Sequence, residues 1–170
     1  MRISVLKNGK WEAKIAWDNA MNVFYLTCDG EHILRTPDET EMLGKNAFVY
    51  GTPLLFPPGR TANDRFSFNG KEYVLPYPPK EGGRHNLHGL MYNAPMKVLE
   101  ESSTRAAGEF ISDETRYPFP FKLTITAELD GNGLAQSFAV TNIGDADMPF
   151  ALGLHTTFVE RDCVTVSAGA

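Results

Sequence analysis

Histidines are the residues of this chain best suited to proton transfer near neutral pH, and two of the four lie close together. His85 and His88 follow a stretch rich in proline and glycine, and Gly89 comes directly after the second of them. Glycine permits unusual backbone angles or the close approach of a ligand. Two histidines three residues apart can also bind a metal ion, but on a loop this spacing fixes no geometry, and no third ligand cluster is evident. The simplest alternative is a surface pair without a function.

A third histidine, His155, lies in a segment with its own pattern, residues 150–158. If these residues form one strand, Gly153, His155 and Thr157 share a face, and the larger apolar side chains point the other way. A histidine between a glycine and a threonine has room beside it for a ligand. The alternative is a hydrogen-bonded histidine in the core or at its rim. The fourth histidine, His32, is expected to be a structural residue of a hairpin strand.

A rigid Pro-Pro-Gly corner at residues 57–59 presents Arg60. Its guanidinium offers a fixed fork of donors that suits hydroxyl or carboxylate groups. The alternative is an ordinary surface arginine on a loop. The sequence contains no phosphate-binding glycine motif, no serine hydrolase motif and no Cys-x-x-Cys pair, so those chemistries are not supported.

The elements that must position these residues are β-strands, because apolar and polar residues alternate with a period of two. The alternation is clearest at residues 11–17 and 121–129. Only residues 38–46 suggest a turn of helix. Many short strands at regular spacing favour an all-β sandwich or barrel. The predicted strands are 2–7, 11–17, 23–28, 31–35, 47–50, 66–68, 72–75, 97–100, 108–113, 121–129, 134–141, 150–158 and 163–166.

Turn residues separate these strands. Some pairs have the composition of two-residue type I′ hairpin turns, in which both central residues take positive φ. Longer turns are predicted at residues 130–133 and 142–145. The predicted two-residue turns are Asn8-Gly9, Asp29-Gly30 and Asn69-Gly70.

Two further segments bear on the extent of the fold. Residues 76–84 form a loop rich in proline and glycine, which is expected to cross the surface, where binding residues tend to gather. Residues 163–166 read as a strand with only four residues after it. A strand that ends so abruptly leaves a sheet edge uncovered, which indicates a chain shorter than its natural fold.

Length and composition describe one globular domain, residues 1–170. The apolar fraction is 42%, the charged fraction is 22% and the net charge is −5. A mildly acidic chain without basic runs is not expected to bind nucleic acid or a membrane surface. We find no signal peptide and no apolar stretch long enough to span a bilayer. Cys28 and Cys163 are interpreted as buried free thiols, and the chain as cytoplasmic.

Taken together, these segments resemble the aldose 1-epimerase (galactose mutarotase) family. The resemblance runs in order through most of the chain and is carried by three motifs in the family's order. They are the opening hairpins with residues 51–60 and 66–75, a first histidine motif at residues 86–89, and a second at residues 149–158.

The resemblance implies a large antiparallel β-sandwich that binds a free aldose and interconverts its α and β anomers. A proton must reach the ring oxygen and another must leave the anomeric hydroxyl, which requires an acid and a base but no metal or cofactor. By resemblance, His155 is the general acid at the ring oxygen and His88 assists in the same region. Arg60 would hydrogen-bond sugar hydroxyls, with Asn63 and Arg65 as weaker candidates.

The chain departs from the family pattern in several places. Asp64 follows Asn63 where better-known members have arginine, which weakens the assignments of Asn63 and Arg65. Leu90 replaces a glycine after the first motif, and Thr157 stands where an aromatic is usual. These changes point to a divergent, mutarotase-related branch.

The largest departure is length. Family members are considerably longer, and their glutamate base lies near the far carboxyl terminus, together with an aspartate that binds sugar. We therefore expect this chain to be the amino-terminal portion of such a domain and to lack the base. Glu160 is near His155 in sequence, but nearness alone does not make it the base.

Two alternatives to an isomerase stay open on the sequence alone. One is a carbohydrate-binding protein of the same fold without catalysis. The other is a structural or partner-binding β-sandwich. The sequence leaves open which sugar is bound, whether it is phosphorylated, and the oligomeric state.

Overall fold

The computed structural model describes residues 1–76, 85–112, 114–160 and 162–167, with only the backbone described for His85. The regular secondary structure of these residues consists almost wholly of antiparallel strands. The single α-helix of the described residues is one turn long, α1 (Met42–Lys45), as the sequence predicted. Short 3-10 turns occur at Trp17–Asn19 and Met91–Asn93.

The first sheet is a meander of four strands that follow one another in sequence. Each strand pairs with the next, through two-residue turns at two of the connections and through residues 17–21 between the second and third strands, so the whole sheet forms from local contacts. Alternation of apolar and polar residues gives it one buried face. Its strands are β1 (Ile3–Asn8), β2 (Trp11–Ala16), β3 (Asn22–Cys28) and β4 (Glu31–His32).

Five short strands follow the first sheet and lead to the second. They pair as β6 with β9 and β7 with β8, while β5 pairs with the last strand, β14 (Gly153–Leu154). These strands are β5 (Leu54–Leu55), β6 (Arg60–Ala62), β7 (Arg65–Phe68), β8 (Lys71–Val74) and β9 (His85–Leu87).

The second sheet is another meander of four consecutive strands, and its strands are longer. The strands are β10 (Lys97–Glu101), β11 (Arg105–Ile111), β12 (Phe121–Asp130) and β13 (Gly133–Asn142). β12 alternates between buried and half-buried positions up to its exposed last residue. The strand at the edge, β13, keeps its inward side chains only half-buried.

The two sheets share one apolar core, which makes the fold a β-sandwich. Leu6 and Ile15 of the first sheet are fully buried in the same cluster as Leu123 and Ile125 of the second. Burial of a side chain of this size contributes about 1.5–3 kcal/mol, so this shared cluster is the main source of stability. The all-β sandwich predicted from the sequence is confirmed.

Most predicted strands are present, but four predictions are wrong in part or whole. Of residues 31–35, only β4 is a regular strand, with a single bridge at Leu34. Residues 47–50 bend instead of forming a strand, because the amide of Val49 turns back to donate to the carbonyl of Asn46. Residues 163–166 form no strand, since no other described segment pairs with them. Of residues 150–158, only β14 is a regular strand, although single bridges continue at Thr157 and Phe158.

The turn predictions have a mixed outcome. Asp29, Gly30, Asn69 and Gly70 all have positive φ, as type I′ turns require. The first hairpin is shifted by one residue, because Asn8 pairs with Trp11 and the turn residues are Gly9 and Lys10. The predicted surface loop at 76–84 lies outside the described residues except for Pro76.

The cysteines are less buried than predicted. Cys28 is half-buried at the end of β3, and Cys163 is exposed in the irregular segment after residue 160. Both are free thiols. Among the described residues, no helix is long and apolar enough to cross a membrane.

Candidate active site

One extended segment, residues 51–59, lies between the two segments that carry His88 and His155. On one side it pairs antiparallel with residues 153–157, through the β5–β14 pair and a bridge from Gly51 to Thr157. On the other side Phe56 forms a parallel bridge with Gly89. Segments far apart in sequence therefore meet across residues 51–59.

This central segment is fixed to the body of the protein at both ends. Near its start, the buried Asn22 side chain accepts a hydrogen bond from the Thr52 amide at 2.8 Å and donates one to the Tyr50 carbonyl at 3.1 Å. Further along, the ring of Phe56 is buried between Tyr117 and Phe121, with centroids 4.9 Å from each. A segment held in this way offers a rigid base for functional side chains.

The turn that presents His88 is built by the residues around it in the first histidine motif. The buried Asn86 side chain accepts a hydrogen bond from the Gly89 amide at 2.9 Å, which closes the turn. Gly89 has φ of 69°, and any side chain there would collide with the carbonyl of Phe56. Only glycine lets this turn lie so close to residues 56–57. His88 itself takes φ of 66°, an uncommon conformation for a residue with a side chain.

His88 is held by Gly59 through two hydrogen bonds. Its backbone amide donates to the Gly59 carbonyl at 2.9 Å. In return, the Gly59 amide donates to Nδ1 of the His88 ring at 3.0 Å. The imidazole is half-buried, and its orientation is set by backbone atoms.

His155 is positioned by its backbone, and its side chain is exposed. The His155 amide donates to the Pro53 carbonyl at 3.0 Å, and the Thr157 amide donates to the Gly51 carbonyl at 2.9 Å. The start of the segment that carries His155 is held by Tyr117, whose hydroxyl donates a hydrogen bond to the Pro149 carbonyl at 2.8 Å. Burial raises the pKa of that Tyr117 hydroxyl to about 12, so it stays a donor at any physiological pH.

The two imidazoles meet edge to face with their ring centroids 5.7 Å apart. The ring of Phe48 packs against both, at 5.0 Å from His88 and 6.3 Å from His155. Tyr92 completes the cluster, with its ring 4.8 Å from Phe48. We call these four residues, His88, His155, Phe48 and Tyr92, the histidine cluster.

The surroundings of His88 disfavour its protonated form. Burial lowers the pKa of His88, and the nearby His155 and Arg60 lower it further. Arg60 is exposed on β6, opposite Leu87 of β9, which places it beside His88. The structure thus brings three of the residues singled out by sequence, His88, His155 and Arg60, into one place.

The weaker candidates are placed differently. Arg65 forms an ion pair with Glu72 on the adjacent strand β8, and it is not among the charges that act on His88. Asn63 lies in the exposed turn after β6, where it and Asp64 both have positive φ. One carboxylate oxygen of Asp64 is buried and has no hydrogen-bond partner among the described residues.

Sequence reasoning missed Phe48, Tyr92 and Gly59 as parts of the site. Phe48 was placed in a predicted strand, and Tyr92 was not singled out at all. Tyr92 lies four residues after His88 in an aromatic-containing 3-10 turn, a signal that could have drawn attention to it. Nothing in the local sequence indicates that Phe48 packs against histidines so distant in the chain.

The described residues give the two histidines neither an ion-pair partner nor a metal-binding group. Within them, the ion pairs of the structure include neither His88 nor His155. No group of three or more His, Cys, Asp or Glu side chains is placed to hold a metal ion in the part of the chain described. Two imidazoles beside a guanidinium can donate hydrogen bonds to oxygen atoms and exchange protons with them.

Comparison with known proteins relates this arrangement to one family. The family model for aldose 1-epimerase matches residues 25–164. The uncharacterized protein YihR from Escherichia coli (strain K12) is 28% identical over 137 residues, which is 76% of this chain and 42% of YihR.

Solved structures give the same result. A galactose mutarotase-like protein from Clostridium acetobutylicum superposes with a TM-score of 0.78 and 29% identity, over 91% of this chain and 49% of that protein. A galactose 1-epimerase from Lactobacillus acidophilus has a TM-score of 0.64 and 20% identity, over 81% of this chain and 43% of its own. At that identity the second match supports the fold alone. The chain spans about half the length, or somewhat less, of these relatives.

Proposed function

Because the chain belongs to the aldose 1-epimerase family, we propose that it carries the acid side of an isomerase that interconverts the α and β anomers of a free aldose. In this proposal the 170 residues form one domain, the amino-terminal portion of the full catalytic unit. The bound partner is a small sugar, and no metal or cofactor takes part.

The observation that carries the proposal is the meeting of His88 and His155. Their rings touch although they come from different segments, and both segments are ordered by hydrogen bonds to residues 51–59. A structural role would not require a half-buried and an exposed histidine side by side, with Arg60 close enough to disfavour protonation of His88. Perturbed titratable groups grouped at a surface are typical of catalytic sites.

The chemistry that suits these groups is ring opening and closing. A protonated His155 gives its proton to the ring oxygen as the bond between that oxygen and the anomeric carbon breaks. A base takes the proton of the anomeric hydroxyl, which becomes the carbonyl of the open-chain aldehyde. Rotation about the adjacent carbon–carbon bond and the reverse steps give the other anomer and return both protons.

In this scheme, His88 and Arg60 bind the sugar. His88 assists at the ring oxygen beside His155, and Arg60 donates to sugar hydroxyls. Asn63 and Arg65 are weaker candidates for further hydroxyl contacts. Arg65 would first have to leave Glu72.

We propose that the base comes from outside these residues. Two observations support this: the relatives are about twice as long, and no carboxylate of the described residues forms an ion pair with either histidine. Glu160 is exposed and takes part in none of the ion pairs of the described residues.

A second candidate is a carbohydrate-binding protein without catalysis. It is favoured by the same absence of a paired carboxylate, because His88, His155 and Arg60 can bind a sugar without turning it over. The two functions differ in one measurable property, which is the rate at which anomers interconvert.

Polarimetry of freshly dissolved α-glucose and α-galactose tests the isomerase. We expect this chain, fused to the second half of the Clostridium relative, to speed the approach to equilibrium rotation. His155→Ala should lower turnover about a hundredfold or more, as loss of a general acid does. His32→Ala, which removes an exposed histidine of β4, is the matched control and should leave turnover unchanged.

Sugar binding by this chain alone separates the remaining possibilities. Titration of glucose and galactose should shift the ring resonances of His88 and His155 but not those of His32. Binding without turnover in the fusion would favour the non-catalytic protein. Unchanged His155 resonances, or full turnover by His155→Ala, would remove His155 from the proposed role.

A further inference from the structure

Gly59 determines which nitrogen of His88 carries the proton. A backbone amide can only donate, so the Nδ1 atom that it meets at 3.0 Å must present a lone pair. A neutral imidazole has one N–H, and with Nδ1 acting as acceptor that hydrogen lies on Nε2. The backbone bond from the His88 amide to the Gly59 carbonyl keeps the two residues in register, so the ring cannot easily turn away.

The same contact opposes the protonated form of His88. An imidazolium carries hydrogen on both nitrogens, so a proton on Nδ1 would face the Gly59 amide hydrogen and the hydrogen bond would be lost. The titratable and charged groups that face His88 in the described part of the chain are His155, Arg60 and, across Phe48, Tyr92. None of them is an anion that would stabilise a positive charge on the ring.

His155 has no comparable restraint. Its ring is exposed, and no hydrogen bond fixes either ring nitrogen within the described residues. Both nitrogens are therefore open to solvent or ligand, and the ring can take up and release a proton. The two histidines differ in what their surroundings permit, although their rings are in contact.

We propose that the Gly59 amide fixes His88 as the Nε2–H tautomer: His88 stays a neutral imidazole during the reaction and offers its Nε2–H to a sugar oxygen, while His155 carries the proton that is transferred. The inference rests on the proposed function for its sugar oxygen, but the tautomer of His88 follows from the geometry alone. During ring opening, the proton leaves His155 for the ring oxygen and returns to it on closure. His88 keeps its single hydrogen throughout.

Nitrogen-15 NMR of the histidine rings tests the tautomer without any need for activity. In this chain labelled with ¹⁵N-histidine, we expect long-range proton–nitrogen correlations of His88 to show Nε2–H with an unprotonated Nδ1. This pattern should persist as pH is lowered through the ordinary histidine range. A pattern of Nδ1–H, an average of both tautomers, or protonation of His88 within that ordinary range would overturn the proposal.

Two substitutions test the role in turnover. The amide nitrogen of glutamine can take the place of Nε2–H, whereas the shorter asparagine side chain reaches only to the position of Nδ1. In the fusion with the second half of the relative, His88→Gln should therefore turn over about tenfold faster than His88→Asn. Its turnover should keep the pH dependence of the parent fusion, because in this proposal the transferred proton belongs to His155.

The outcomes distinguish the two proposals. Equal loss in both variants, or a changed pH dependence in His88→Gln, would mean that the transferred proton passes through His88. A fixed Nε2–H tautomer in a protein that neither binds nor turns over sugars would uphold the tautomer and reject the proposed function.

Discussion

The two four-stranded sheets and the histidine cluster differ in how far apart in sequence their paired segments lie. In the second sheet, β12 and β13 are each ten residues long and are joined by a two-residue turn. Residue pairs can therefore form one after another, starting at the turn. In the site, β5 and β14 are two residues long, and about a hundred residues of chain separate them. Closing such a loop has an entropic cost that the two short strands cannot repay alone.

The difference also appears in the backbone. The sheets place positive φ angles mainly in their turns, whereas the site places them at Gly51, Gly59, His88 and Gly89, in or beside the paired segments. The packed sheets therefore supply the stability that keeps the strained, long-range contacts of the site in place. Substitutions in the two regions should therefore differ in how much they lower the free energy of unfolding and in whether they disturb the histidine cluster.

The largest effect is expected in the core between the sheets. Ile125→Ala empties a fully buried position of β12 and should lower the free energy of unfolding by about 4 kcal/mol. Ile111→Ala, on the exposed end of β11, is the matched control and should change it by no more than about 0.5 kcal/mol. Urea unfolding measures both. Equal losses would contradict the assignment of the shared core.

The next effect separates close packing from backbone strain. Gly89→Ala and Gly70→Ala both place alanine at φ near 70°, but only at Gly89 does the new side chain meet another backbone. We expect a loss of about 1 kcal/mol at Gly70 and about 3 kcal/mol at Gly89. Gly89→Ala should also shift the ring resonances of His88, which Gly70→Ala should not. Similar unfolding midpoints for the two variants would show that the turn at residues 86–89 can move away from Phe56.

A smaller effect is expected where the central segment is tied to the first sheet. Asn22→Ala leaves the buried Thr52 amide and the Tyr50 carbonyl without their partner and should cost about 2 kcal/mol. Asn142→Ala removes an exposed side chain with a similar pair of bonds, to Gly144 and Ala146, and should cost less than about 1 kcal/mol. Thermal unfolding measures both variants. A larger loss at Asn142 would mean that the second sheet depends on its loops more than on its core.

The smallest effect concerns pH and His88. Because the pKa of His88 is lowered in the folded chain, the unfolded chain binds the proton first as pH falls. Stability should therefore decrease as pH falls through the ordinary histidine range and level off below the folded pKa. His88→Gln should remove this part of the decrease between about pH 7 and pH 5, as seen in melting temperatures. A His32→Gln variant should keep it, and identical pH curves for the parent and His88→Gln would contradict the lowered pKa.

Much of the fold could be predicted because its information is local. Alternation along residues 11–17 and 121–129 identified strands with one buried face, and asparagine or aspartate before glycine identified two hairpin turns. Such patterns reflect neighbours within a few residues, where side-chain direction and turn geometry follow from residue type. The prediction failed at residues 47–50, a short run of apolar residues, and at residues 163–166, because no described strand pairs with either segment.

The sequence by itself determined most strands of the two sheets, two hairpin turns, and histidines and an arginine of the right type in three family motifs. Only the tertiary structure decided that residues 51–59 lie between the two histidine segments and that Phe48 and Tyr92 line the pair. It also decided that a glycine amide sets the proton of His88. The physical reason is that these contacts join residues far apart in the chain, so no local period or spacing records them, and they exist only once the core has formed.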